Sequence, residues 1–182
     1  DYVGGFQDVQ MRLLRPIGEP KIRFAEDPVR MLRAIKFVAR ANLQFAEGVE
    51  EALREKAPLL NQSAPPRVLE EIYKLMCCGL AGRGLTLLDD LHLFKSVFPE
   101  IATDWDATPG ALAELGNALD LIDEGRRNCS NGFLLSALLL APWRSATATQ
   151  KGDPTAIATK LITRFSESVR EVLFWPNAGF QK

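Results

Sequence analysis

The stretch RFAEDPVRMLRAIKFVAR, residues 23–40, places a carboxylate and a guanidinium three positions apart, Asp27 and Arg30. On a helix this spacing leaves the two side chains about 60° apart around the axis. A carboxylate accepts from an amino group and a guanidinium donates through a rigid fork, so side by side they can match the donor–acceptor edge of a nucleobase. Arg33, Lys36 and Arg40 continue along the polar side of the same helix, where cations can follow a line of phosphates. A plainer reading stands beside this one. Asp27 can cap a helix whose first residue is Pro28. Glu26 or Asp27 can pair with Arg30 on the surface, and the remaining cations can form a solvated face.

The elements that would hold these residues are helices. At 100° per residue, Met31, Leu32, Ile35, Val38 and Ala39 fall on one arc, which makes 27–42 an amphipathic helix with a basic stripe opposite its apolar face. AEGVEEALREKAPLL reads as a second helix ending near Pro58. NQSAPPRVLEEIYKLMCCG reads as a third, with Val68, Leu69, Ile72, Leu75 and Met76 inward and Gly79 closing it. Further helices are expected in RGLTLLDDLHLF, ALAELGNALDLIDEG (ending at Gly125), NGFLLSALLLAP (ending at Pro142) and residues 154–175, with a tail from Trp175. GLAGRGL, FPEIATDWDATPG and RSATATQKGDP read as connections. Before all of this, DYVGGFQDVQ suggests a turn and a short helix, and MRLLRPI is the one strand signal. The expected fold is all-α, a helical array with antiparallel neighbours.

The bulk figures narrow the function classes. With 182 residues, 47% hydrophobic and 25% charged, the chain is an ordinary globular sequence. A net charge of -1 means that any nucleic-acid contact must come from a local basic patch. Cys77, Cys78 and Cys129 form neither a disulfide framework nor a metal-ligand spacing, which suits a reducing, cytoplasmic setting. The longest apolar run is too short for a membrane span. His92 is the single histidine, so no histidine-based triad or metal site can be assembled. Asp104 and Asp106 form the one D-x-D, in a segment read as a loop between Pro99 and Pro109; they are taken as exposed or capping acids, not metal ligands. Trp105, Trp143 and Trp175 are taken as packing residues.

Taken together, DYVGG at 1–5 with Asp8, the run from Arg15 through RFAEDPVRMLRAIKF to Phe37, and PPRVLEE at 65–71 resemble the class II tRNA nucleotidyltransferase and bacterial poly(A) polymerase family. LHLFKSVFPEI at 91–101 is more similar to the poly(A) polymerase branch than to the CCA-adding branch. The strong similarity covers roughly the first 100 residues.

The resemblance implies residue roles. Asp27 and Arg30 would face the base of the incoming nucleotide, with Arg33 assisting. Asp1, Gly4 and Gly5 would match the motif joining a catalytic head to the neck. Arg67 and Glu71 would support the nucleotide-reading helix, although four residues apart they equally suit a salt bridge within one helix. Lys36 and Arg40 would border an RNA channel. The division implied is a remnant of the α/β head at 1–20, a neck and body at 21–100 and a further helical region at 101–182. In the family a Gly-Ser motif followed by an Asp-x-Asp pair holds two divalent metals for phosphoryl transfer, and it would precede Asp1. The whole enzyme would therefore use ATP and Mg²⁺ to extend an RNA 3′ end, while this chain alone, without the head, would be inactive, with no catalytic or metal-binding residue of its own. Without sheet partners, residues 1–20 are expected to be disordered or swapped. A CCA-adding enzyme fragment and a non-catalytic helical RNA-binding module are the alternatives.

Overall fold

The computed structural model describes residues 1–107, 110–124 and 129–149, with a few positions between 153 and 160. Among these the fold is helical, with one small two-stranded sheet. Helix α1 (Gly5–Met11) leads into β1 (Leu13–Leu14), and α2 (Pro20–Glu26) and α3 (Val29–Ala41) follow. Next come β2 (Gln44–Phe45), α4 (Val49–Lys56), a 3₁₀ turn (Ala57–Gln62) and α5 (Pro65–Met76). The remaining helices are α6 (Ala81–Asp90), α7 (Leu93–Val97), α8 (Pro99–Asp106), α9 (Ala111–Glu124), α10 (Asn131–Leu138) and α11 (Leu140–Thr149).

Helix α3 is the central element. Met31, Leu32, Ile35, Val38 and Ala39 are all fully or almost fully buried, as its periodicity predicts. It ends where Asn42 turns left-handed at φ 51° and returns its N–H to Ala39 and Val38, a turn that asparagine tolerates better than most residues. Helix α5 packs on α3 through the same kind of stripe, with Ile72 and Leu75 fully buried. One continuous apolar cluster runs from Phe24 to Leu138, so α9 and α10 share the core that α3 and α5 begin.

Helices α6 and α9 cross at glycine. A Cβ on Gly116 would lie 2.3 Å from the Cα of Gly82, so the backbones touch where neither side chain exists. Asp120 of α9 accepts the first N–H groups of α6, at 2.5 Å from Ala81 and 3.1 Å from Gly82. A carboxylate there satisfies orphan donors and meets the positive end of the helix.

Several expectations change. The chain between Gly18 and Asp27 is a helix, α2, with Pro20 in its first turn. FPEIATDWD is likewise helical, because Pro99 opens α8 and proline suits a helix start. GLAGRGL enters α6 at Ala81, and RSATAT belongs to α11, which runs on past Pro142. RGLTLLDDLHLF is split, because His92 turns left-handed at φ 62° between α6 and α7. The segment at 13–14 is not without a partner: β1 pairs in parallel with β2, Leu13 opposite Gln44 and Leu14 opposite Phe45. Two strands this short carry no readable alternation, which is why β2 is silent in the sequence. The helices expected over 154–175, the end of α9 at Gly125 and the tail with Trp175 lie largely or wholly outside the described residues.

Candidate nucleotide and RNA interface

Asp27 stands at the junction of α2 and α3, in extended conformation with φ -145° and ψ 93°. It does not cap α3 with its side chain. Its carbonyl receives the Arg30 N–H at 3.0 Å, and its carboxylate is left to reach outward. There Nη2 of Arg67 lies 3.2 and 3.1 Å from the two oxygens. Pro65 and Pro66 fix the start of α5, and this sets Arg67 in the first turn, facing the junction.

Arg30 is held more loosely. Its Nε is 3.8 Å from Asp27 and its Nη1 is 3.6 Å from Glu26, ion-pair distances beyond a hydrogen bond. Arg23 takes Glu26 at 2.6 Å. The side chain of Asp27 is 21% exposed and that of Arg30 37%, so both are reachable from solvent. The arrangement is a carboxylate oriented by one guanidinium, with a second guanidinium beside it whose fork is not committed. Such a pair can accept from and donate to one planar edge.

Below this lies Glu71, only 4% exposed. It receives Nε of Arg33 at 3.2 Å, Nζ of Lys36 at 2.7 Å and Nζ of Lys74 at 3.5 Å. Burial pushes its carboxyl up, but the hydrogen bond and charge of Lys36, then Arg33 and Lys74, outweigh that and hold it below the ordinary glutamate value. Arg67 and Glu71 do not pair with each other within α5. Each reaches across to the α2–α3 segment, Arg67 to Asp27 and Glu71 to Arg33 and Lys36. The basic stripe on α3 is therefore not uniformly free. Its middle is tied to a buried acid, and Arg40 at its end is exposed without an ion-pair partner among the described residues.

The N-terminal motif is local architecture. Asp1 accepts the N–H of Val3 at 3.1 Å and of Phe6 at 2.6 Å, which secures the entry to α1. Gly4 has φ +73°, and a Cβ there would lie 3.2 Å from Arg15 Nη2, so the left-handed conformation is what calls for glycine. Gly5, with nothing within 4 Å of a would-be Cβ, simply begins the helix. Asp8, largely buried, takes Arg15 in two contacts of 2.7 and 3.0 Å. The pattern includes Asp8 and Arg15, but nothing in their spacing says that they join.

The other candidates have ordinary settings. Asp104 and Asp106 share the last turn of α8 and project about 200° apart, so they cannot hold a metal between them. Among the described residues no group of three His, Cys, Asp or Glu side chains is placed to bind one. Trp105 is buried, with its indole N–H on the Leu138 carbonyl at 3.0 Å. His92 is exposed at the α6–α7 break. No helix among the described residues is long and apolar enough to cross a membrane.

The chain and its mostly helical fold have counterparts among RNA-processing enzymes. Residues 42–104 match a family model described as "Probable RNA and SrmB- binding site of polymerase A". Poly(A) polymerase I of Salmonella typhi is 44% identical over 147 residues, 78% of this chain and 32% of that protein. Poly(A) polymerase I of Haemophilus influenzae is 33% identical over 158 residues, covering 84% and 35%. The CCA-adding enzyme of Bacillus licheniformis is 35% identical over 97 residues, covering 53% and 24%. In fold, the chain is similar to the Thermotoga maritima CCA-adding enzyme complexed with tRNA, with a TM-score of 0.63, 19% identity and 95% and 43% of the two chains covered. A structure of a CCA-adding enzyme with ATP gives 0.62, 20%, 94% and 39%.

These likenesses are to proteins named poly(A) polymerase and CCA-adding enzyme, and in fold to the CCA-adding enzymes. The chain belongs to the class II tRNA nucleotidyltransferase and bacterial poly(A) polymerase family, on the poly(A) polymerase side. It spans about a third of the length of the poly(A) polymerases it matches.

Proposed function

We propose that this chain is the neck and body of a poly(A) polymerase-like enzyme, which selects the incoming ATP and borders the channel for the RNA 3′ end. Asp27 and Arg30 read the adenine edge, and Arg33 assists from the next turn. Arg67 is a positioning residue that aims Asp27, and Glu71 fixes the helix carrying the pair. The observation that carries this reading is the partly exposed Asp27 carboxylate, held from α5 by Arg67, with Arg30 alongside. The family resemblance and the poly(A) polymerase relatives support it.

The chemistry of adenylyl transfer, with ATP and Mg²⁺, belongs in this reading to a catalytic head in the whole protein. The described carboxylates do not fit a metal pair, so no step is assigned to them. The head docks on the apolar side chains of Tyr2, Val3, Phe6, Val9, Ile17 and Phe37, all more than half exposed, since clustered exposed apolar residues mark interaction surfaces. Residues 1–20 then join head to neck, 21–100 form neck and body, and 101–182 extend it in the cytoplasm.

The test is nucleotide choice by the whole protein. Asp27→Ala and Arg30→Ala should each blur the preference for ATP over CTP about tenfold or more, the discrimination expected of a lost bidentate base contact. Unchanged preference in both variants contradicts the reading. The 182-residue chain alone, given ATP, Mg²⁺ and an RNA primer, should add no nucleotide; extension would place the catalytic carboxylates within it. CCA addition is the second reading, favoured by the CCA-adding enzymes of similar fold. A whole protein that extends only tRNA lacking its end would establish it.

A further inference from the structure

Two guanidinium groups, of Arg12 and Arg83, sit on the far end of α3, whose last turn carries Arg40. Arg12 precedes β1, and the β1–β2 register sets it opposite Leu43. Its Nη2 donates to the Ala41 carbonyl at 2.9 Å. Arg83 arrives from α6, donating through Nη1 to Asn42 Oδ1 and through Nη2 to the Leu43 carbonyl at 2.7 Å. Arg40 is on the last turn of α3 itself, exposed. Three segments far apart in sequence thus bring their cations to residues 40–43.

What sets this cluster apart is the absence of acid. None of the three has a carboxylate within 4.0 Å among the described residues. At the opposite end of α3, Arg23, Arg30 and Arg67 face Glu26 and Asp27. In the middle Arg33 and Lys36 face Glu71. At the far end the partners are neutral carbonyls and one amide, so the charge remains. A guanidinium has five N–H donors, and Arg12 and Arg83 use only one or two of theirs within the protein.

Capping the last carbonyls of α3 explains part of this, since cations suit a helix C-terminus. It favours all three, Arg40 in the last turn included, but it uses few of their donors and leaves three guanidinium groups without a carboxylate on a chain whose net charge is -1. A polyanion answers all three.

We infer that Arg12, Arg40 and Arg83 form a backbone-phosphate site for single-stranded RNA, engaging the strand upstream of its 3′ end. This rests on the nucleotide reading at Asp27 and Arg30, which fixes where the strand terminates. From Arg30 to Arg40 the helix rises about 15 Å, so a strand ending at the junction passes the cluster a few nucleotides earlier. Only Arg83 of the three lies in the matched segment 42–104; the site unites that segment with α3 and the α1–β1 turn. Phosphate contacts of this kind carry no sequence information, which suits a channel for a growing homopolymer.

The experiment measures binding of a fluorescent oligoadenylate to the 182-residue chain across a potassium chloride series. For a single strand, each phosphate contact contributes about 0.7 to the slope of log affinity against log salt. Arg40→Gln, which breaks no contact within the described residues, should lower the slope by about 0.7 and leave the thermal midpoint unchanged. The triple glutamine variant should lower it by about 2, and the triple lysine variant should keep it near the wild-type value. A wild-type slope in both Arg40→Gln and a folded triple glutamine variant overturns the site. So does polyglutamate competing as well as RNA, which would make the cluster a protein-binding patch. Failure here with intact ATP preference condemns this site alone, whereas lost base discrimination with an intact slope condemns the reading at Asp27.

Discussion

Glu71 is a buried acid serving three cations, and its energetic role can be separated from that of Asp27. Removing one member of a buried, hydrogen-bonded ion cluster costs about 3–5 kcal/mol, because the remaining charges lose their partner. Arg33 is 44% exposed and can turn to water, whereas Lys36 is only 17% exposed, so Glu71→Gln should cost about 3 kcal/mol, at the low end of that range. The pH dependence has a definite sign. The folded Glu71 carboxyl titrates below its unfolded counterpart, so its contribution is complete above the ordinary glutamate range and is lost as pH falls through the lowered folded value. Urea denaturation of wild type and Glu71→Gln should therefore show a large gap at pH 7 that closes as pH falls through the lowered folded value. A gap independent of pH would mean that the glutamate acts through packing alone. Asp27 and Arg30 were legible as a pair from their spacing. Their partners were not, because Arg67 is 40 positions from Asp27 and Glu71 is 38 from Arg33, and no helical periodicity reports a contact between two helices.

At the scale of elements, the crossing of α6 and α9 makes a test that intrinsic propensity would answer wrongly. Alanine favours a helix over glycine by about 1 kcal/mol, so propensity alone predicts that Gly116→Ala stabilises. The structure predicts the reverse, a loss of about 2–3 kcal/mol, because the new Cβ meets backbone and not a movable side chain. Gly84→Ala should cost less, since its Cβ would meet the Leu75 side chain at 3.0 Å. Thermal melts of the two variants decide the order. Asp120→Ala should cost about 1 kcal/mol by uncapping α6. Periodicity found α3, α4 and α5 because each has an apolar stripe against the core. It misses α2 and α8 because both are short and open on a proline, Pro20 and Pro99, a residue that reads as a break and here starts a helix. It missed the extension of α11 because the apolar run ends before the helix does.

For the molecule as a whole, a net charge of -1 conceals segregation. Acids and cations neutralise each other along most of α3, and at its far end Arg12, Arg40 and Arg83 have no ion pair among the described residues. Composition could not reveal this, since Arg12 and Arg83 reach the α3 terminus that carries Arg40 only through the β1–β2 pairing and the packing of α6 on α3. A single core from Phe24 to Leu138 holds the two ends of the surface in fixed relation, as a strand spanning both requires. The apolar face at Tyr2, Phe6, Val9 and Phe37 is a separate surface, and in the whole protein it should be shielded. Hydrogen exchange should show α1 slower in the whole protein than in the 182-residue chain; equal rates would leave that face without its proposed occupant.

The most direct test of base reading is photochemical labelling of the whole protein with an adenine nucleotide carrying a photoreactive group on the base. If Asp27 and Arg30 face the incoming adenine, the label will appear in a peptide containing residues 23–40 and will be displaced by ATP. Displaceable label found elsewhere, with that peptide clean, would contradict the account.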